Sequence, residues 1–250
     1  MVKILSNTDF YNEIASGYDD MVSFGKLIEK KSKDLAGFID DKIKSAADIG
    51  CGTGVDSIAL SLSGLKVTAF DPSSEMISVA KTNAAIYDSQ INFYISSSDE
   101  IPKEFNDQFD LVVSLGNTFA NIPSNKFAES IQRCYRILKP GGRLLVQILN
   151  YANILNNEKR IVNIREGKDN YFIRFYDFYN EYLVFNILTF SKLKPSEQSL
   201  ISTKLFPHSR ADFDRELLKT GFYSIQFFSD LGLSDFNVES KDLVVSAWKK

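Results

Sequence analysis

The chain has 250 residues, 44% of them hydrophobic, enough to bury one large core or a core with a small subdomain. Its 29 basic and 32 acidic residues leave a net charge of -3, which excludes the basic track that nucleic-acid binding needs. Two distant cysteines without a C-x-x-C pair exclude a disulfide framework or zinc site, and no metal is expected.

The N-terminus, "MVKILSNTDF", is too short in its apolar part for a signal peptide, and no apolar run nears the ~18 residues of a membrane span. A cytoplasmic protein with no membrane partner is expected. Residues 8–45 read as two helices, "FYNEIASGYDDMVSF" and "KLIEKKSKDLAGFIDDKI", with apolar positions at helical spacing. At Ala46 the period changes. Strands over 46–50, 66–70, 91–95, 109–115 and 143–149 alternate with helices over 55–63, 73–86 and 124–138. This is the pattern of a doubly wound, mostly parallel α/β sheet. Residues 151–206 break it. "RIVNIREG", "NYFIRFYDFYN", "EYLVFNILTFSKL" and "SLISTKLF" follow one another across polar turns, so they pair antiparallel as an inserted β subdomain. "SRADFDRELLKTGF" reads as a helix, and "YSIQFFSD" and "DLVVSAWKK" as closing strands. The expected organisation is an N-terminal helical segment (1–45), an α/β domain (46–150 and 207–250) and the insertion (151–206).

"AADIGCGTGVDS" places Asp48, Gly50, Cys51, Gly52 and Gly54 where the first strand of that domain meets its helix. Glycines there let a ligand approach the main chain with no Cβ in the way. A nicotinamide-type G-x-G-x-x-G would need glycine at 55, which is Val55. The next strand ends at Asp71, where a carboxylate can accept from both hydroxyls of a ribose; the plain alternative is a charged residue closing a strand. Ligands of open α/β sheets sit beyond the carboxyl ends of the strands, so "LVVSLGNTFANIP" delivers Leu115, Gly116 and Asn117 to such a site. Asn117 offers a donor and an acceptor, although asparagine is also a common turn former.

"DIGCGTG", "VTAFDPSSEMISVAK", "FDLVVSLGN" and "ILKPGGRLLV" resemble, in order, the motifs of class I S-adenosylmethionine-dependent methyltransferases. The resemblance spans roughly 46–149. It implies a seven-stranded sheet with its last strand antiparallel, and S-adenosyl-L-methionine as cofactor, with S-adenosyl-L-homocysteine as product. The implied cofactor contacts are Asp48, Gly50, Cys51, Gly52, Gly54, Asp71 with Pro72, Met76 against the adenine, Leu115 and Gly116. Ser97, Ser98 and Asp99 align with the segment near the adenine amine, and Tyr11 and Tyr18 with an N-terminal lid. "SLGNTFANIP", "QILNYANIL" and "LFPHSRADF" further resemble glycine and sarcosine N-methyltransferases. That likeness implies an acceptor contact at Asn117 and a proton-accepting role for His208, whose plain alternative is a structural histidine. Leu149, just before Asn150-Tyr151, stands where that group has its arginine carboxylate clamp, so the bidentate anion site is lost.

The insertion holds nine aromatics between Tyr171 and Phe190. Alternation puts Phe172, Arg174, Tyr176 and Phe178 on one face. That face either roofs an acceptor pocket, with Tyr176 and Arg174 as contacts, or packs plainly while the other face joins copies of the chain as a homo-oligomer. The expected function is methyl transfer to a small-molecule acceptor, an amine nitrogen before an oxygen, with Asn117, His208 and Tyr18 as catalytic candidates and Asn117, Leu149, Tyr151, Arg174 and Tyr176 around the acceptor. The alternative is a cofactor-binding sensor or inactive partner subunit without turnover.

Overall fold

The computed structural model describes residues 3–250; residues 1 and 2, assigned above to the N-terminal segment, lie outside the described residues. The chain begins with β1 (Ile4–Leu5), α1 (Asn7–Val22) and α2 (Phe24–Leu35). The α/β alternation follows: β2 (Ser45–Ile49), α3 (Val55–Leu62), β3 (Lys66–Asp71), α4 (Ser74–Ile86), β4 (Ile91–Ile95), β5 (Phe109–Ser114), α5 (Ser124–Ile137) and β6 (Leu138–Leu149). A short α6 (Tyr151–Asn156) leads into β7 (Ile161–Glu166), β8 (Asn170–Phe178), β9 (Leu183–Ser191) and β10 (Gln198–Leu205). The chain closes with α7 (Arg210–Thr220), β11 (Phe222–Phe228) and β12 (Asp242–Lys249).

The large sheet has the order β11-β12-β6-β5-β2-β3-β4, and β12 alone runs antiparallel to its neighbours, as expected. Alternate residues face opposite sides. Ala47, Ile49, Val112, Leu144 and Val146 share one core with Phe127 and Ile131 of α5 and Phe213 of α7. Ala46, Val67, Leu111, Val113 and Leu145 share another with Leu35 of α2 and Ala59 and Leu60 of α3. Because both faces are covered, the "LVV" of 111–113 and the "LLV" of 144–146 are apolar without polar alternation.

The inserted strands pair antiparallel, and β1 adds to them in parallel through Ile4↔Ser202 and Leu5↔Thr203. The N-terminal segment is therefore not purely helical; its first residues belong to the inserted sheet. Three further boundaries differ from expectation. The first helix stops at Val22 because Ser23 turns left-handed, at φ 58°. Residues 151–156 are helical. The sixth strand starts at Leu138 rather than 143, since Leu138 already pairs with Phe109 ahead of a register shift.

Phe172, Arg174, Tyr176 and Phe178 do share a face. Phe172 and Ile187 form a buried cluster with Phe10 and Met21 of α1, each such side chain contributing roughly 1.5–3 kcal/mol. On the opposite face Ile161, Ile164 and Leu200 are exposed. Polar bonds join α1 to the large domain: Ser73 Oγ donates to Asn12 Oδ1 (2.7 Å) and Asn83 Nδ2 to Asp19 Oδ2 (2.8 Å). The first helix is thus held between the two sheets.

Candidate cofactor cleft and its roof

The sheet order places the topological switch at β2, with β3 on one side and β5 on the other. A cleft lies at the carboxyl ends of these strands. Gly52 (φ 53°) and Gly116 (φ 65°) form its floor, and a Cβ at either would project into open space. Both positions need a left-handed backbone and leave main-chain atoms bare to a ligand. The Thr118 hydroxyl lies 2.9 Å from the Leu115 carbonyl and 3.2 Å from that of Gly50, linking the two strand ends across the switch.

Asp71 lines the cleft. Its Oδ2 accepts from the Gly52 N–H and its Oδ1 from the Ser73 N–H, both at 2.9 Å. Burial nevertheless pushes its carboxyl up to about 6, with these two hydrogen bonds opposing the rise. Cys51 and Leu115 lie alongside the glycines, and Pro72 and Met76 continue the wall past β3. Tyr11 and Tyr18 close the cleft from α1, with ring centroids 6.5 Å apart. Burial raises both phenols, so they stay protonated at neutral pH.

Other expected residues stand elsewhere. Asp48 lies beneath the loop and accepts from Ser57 Oγ at 2.6 Å; burial, then the nearby Asp56, push it up to about 8. Gly54 starts α3, and a Cβ there would come within 3.3 Å of Ala80, so it serves close packing against α4. Ser98 bonds Ser130 (2.8 Å), Asp99 pairs with Lys126 (2.6 Å) and Ser97 donates to Glu100 (2.8 Å); none of the three lines the cleft.

Asn117 also does not line the cleft. Its Nδ2 donates to the Tyr151 hydroxyl (2.8 Å) and its Oδ1 accepts from the Leu149 N–H (3.0 Å). The amide fastens the end of β5 to the end of β6. His208 is likewise engaged by protein groups. Its Nε2 lies 2.8 Å from the Ile122 carbonyl, its ring stacks on Phe127 at 4.1 Å, and burial lowers its basicity. Arg174 and Tyr176 lie behind the roof. Arg174 Nε donates to Asn163 (2.7 Å); burial lowers its basicity, its charge neighbours are Tyr18, Arg165, Tyr176 and Tyr11, and it has no carboxylate partner among the described residues. Tyr151 is buried against Tyr176, whose phenol is pushed up to about 12, mainly by burial.

Several lining residues were missed from the sequence: Thr53 and Asp56 after the loop, Ser73, Asn121, and Lys31 of α2. Asp56 and Thr53 sit inside the quoted loop motif and could have been included. Lys31 lies in a lysine-rich helix, where nothing separates an inward lysine from its solvated neighbours.

A doubly wound sheet in this order, with its last strand reversed and a glycine loop at the switch, defines the class I S-adenosylmethionine-dependent methyltransferase fold. Residues 46–142 match the family model described as a methyltransferase domain. Glycine N-methyltransferase of Rattus norvegicus is 32% identical over 123 residues, covering 44% of this chain and 41% of the relative. Ubiquinone biosynthesis O-methyltransferase of Pseudomonas putida KT2440 is 29% identical over 117 residues, covering 45% and 49%. The chain thus spans about half or less of the curated relatives it matches. A solved S-adenosylmethionine-dependent methyltransferase from Clostridium acetobutylicum shares the fold at a TM-score of 0.76 and 14% identity, over 96% of this chain and 98% of that one. DesVI of Streptomyces venezuelae does so at 0.66 and 10%, over 99% and 100%.

The cofactor of the class is S-adenosylmethionine, and the residues present fit it. Thr53 Oγ1 is a buried hydroxyl with no partner on the cleft wall. The floor is open at two glycines, and the Asp71 carboxylate lines the cleft.

Proposed function

We propose that the protein transfers the methyl group of S-adenosylmethionine to a small-molecule acceptor whose attacking atom is an amine nitrogen. Bound cofactor supplies an electrophilic methyl on a sulfonium. Attack by the nitrogen lone pair would form the new N–C bond, return the C–S pair to sulfur and leave an ammonium whose proton goes to water.

In this reading Asp71 holds the ribose, Gly52 and Gly116 leave room along the main chain, and Tyr11 and Tyr18 exclude water from above. Alignment and dehydration then supply most of the rate. No general base is required. The tyrosines are held protonated by burial, and His208 is engaged with Ile122. Asn117 acts indirectly by joining the β5 and β6 ends that border the cleft. The observation that supports the reading is the juxtaposition of the Gly52 and Gly116 floor with the Tyr11 and Tyr18 roof around one cleft at the strand ends. An oxygen acceptor is the second reading, favoured by the O-methyltransferase among the relatives.

The test is S-adenosylhomocysteine release from S-adenosylmethionine across small amines, amino acids and phenols. Release with amines supports the proposal. Release with phenols alone moves it to the oxygen reading. Cofactor binding with no release from any acceptor would favour a sensor.

A further inference from the structure

Resting on the methyl-transfer reading above, we propose that Arg174, backed by Arg165, binds an anionic group of the methyl acceptor, so that the acceptor is an amine carrying a carboxylate or a phosphate. Register brings the two guanidinium groups together. Asn163 of β7 pairs with Arg174 of β8, and Arg165 pairs with Phe172, so the two arginines are diagonal neighbours on the inner face of the inserted sheet. Such neighbours lie roughly 7–8 Å apart, within reach of side chains this long. Neither arginine has a carboxylate partner among the described residues, whereas Arg160 and Lys192 of the same subdomain pair with Asp177 and Glu166. Burial lowers the basicity of Arg174; Tyr18 opposes this and Arg165 adds to it. Two like charges are thus held side by side, a repulsion that a bound anion would relieve.

The donors of Arg174 are set for such a ligand. Asn163 Oδ1 accepts from Nε at 2.7 Å and fixes the guanidinium plane. Nη1 and Nη2 make no hydrogen bond within the described residues, yet neither is sealed from water as Arg133 Nε is. That free end of the fork matches two oxygens of a carboxylate or a phosphate. Along β8, Phe172 packs on α1 and Tyr176 joins the core of the large domain, so Arg174 stands at the seam between them. Tyr18 is foremost among its charge neighbours, and the same tyrosine lines the cleft. An acceptor lying along this seam puts its anion on Arg174 and its nitrogen past Tyr18 into the cleft.

Matched acceptors test the assignment: glycine against glycinamide, 4-aminobutyrate against 4-aminobutyramide, and O-phosphoethanolamine against ethanolamine, each read by S-adenosylhomocysteine release. In the wild type an anionic member should exceed its neutral partner by roughly 10- to 100-fold in kcat/KM, mainly through KM. The pair that shows the preference distinguishes carboxylate from phosphate. Arg174→Gln should bring the ratio to within about threefold, Arg165→Gln should lower it by about three- to tenfold, and Arg174→Lys, which keeps the charge without the fork, should retain part of it. Each ratio is taken within one preparation, so a general loss of activity does not imitate the effect. Neutral members that match the anionic ones in all three pairs overturn the assignment, and so does a ratio that survives both glutamine substitutions. Where no member is methylated, calorimetry on the S-adenosylhomocysteine-loaded protein decides. Selective binding of an anionic member, lost in Arg174→Gln, supports the anion site while the methyl-transfer reading fails. Binding of no anionic member overturns the site, and protein that does not take up S-adenosylhomocysteine overturns the cofactor reading and the proposal with it.

Discussion

Asp71 is the residue where affinity and stability should pull in opposite directions. Its carboxyl is raised from an ordinary 3.8 to about 6 because it is buried, although two backbone N–H groups solvate it. Keeping it ionised at neutral pH therefore costs the ligand-free protein about 3 kcal/mol relative to the unfolded chain. The sign follows from the raised folded value. This contribution to stability is fully present below about pH 4 and is lost as the pH rises through 6. Two ribose hydroxyls donating to the ionised group would each supply roughly 1.5–3 kcal/mol. Asp71→Asn keeps the shape and removes the charge, so cofactor affinity should fall by roughly 10² to 10⁴-fold. Its stability should change by no more than about 2 kcal/mol, because relief from the buried charge offsets an amide placed against a backbone donor. Titration calorimetry with S-adenosylhomocysteine gives the affinity, and urea unfolding of the ligand-free protein gives the stability. In the wild type, affinity should decline below pH 6 by up to about tenfold per pH unit, with one proton released on binding. Wild-type affinity that stays flat from pH 5 to 8, together with intact binding by Asp71→Asn, would refute the ribose role.

Three other substitutions test the remaining assignments. Gly52→Ala strains a left-handed residue by about 1 kcal/mol and sends a methyl into the cleft, so calorimetry should show cofactor binding lost far beyond the small shift in unfolding midpoint. Asn117→Ala removes the bonds to Tyr151 and Leu149 and leaves a φ of 74° to an alanine. It should cost about 2–3 kcal/mol in urea unfolding and depress turnover, with cofactor affinity within about threefold of wild type. His208→Ala should cost about 2–4 kcal/mol through the lost Ile122 bond and the cavity beside Phe127. The pH profile of S-adenosylhomocysteine release should keep its shape in that variant, and loss of an acid-side fall in rate would restore a proton-accepting histidine.

Much of the fold was legible because it rests on local signals. Strand–helix alternation, the glycine loop and the absence of any helix between four successive strand-like runs are written in neighbouring residues, and they place Gly52, Asp71 and Gly116 at strand ends. The alternation along β8 likewise put Phe172 and Tyr176 on the buried face. Site composition was less legible. Asn117 has the residue type and the strand-end position of an acceptor contact, but its amide meets Tyr151 and Leu149, which follow it by more than thirty positions. His208 follows a proline in a suggestive motif, yet Phe127 and Ile122 determine its environment.

The sequence by itself determined the class of domain, since period, glycine spacing and the acidic end of β3 depend on short stretches of backbone. Tertiary structure alone decided which side chains face the cleft. Ile4 and Leu5 pair with β10, and Phe10 and Met21 pack under the inserted sheet, so α1 is carried over the glycine loop with Tyr11 and Tyr18 turned inward. Lys31 became a lining residue because α2 packs on α3 beside Asp56. Such orientations are set by which surfaces can be buried together, and residues far apart in the chain share that decision.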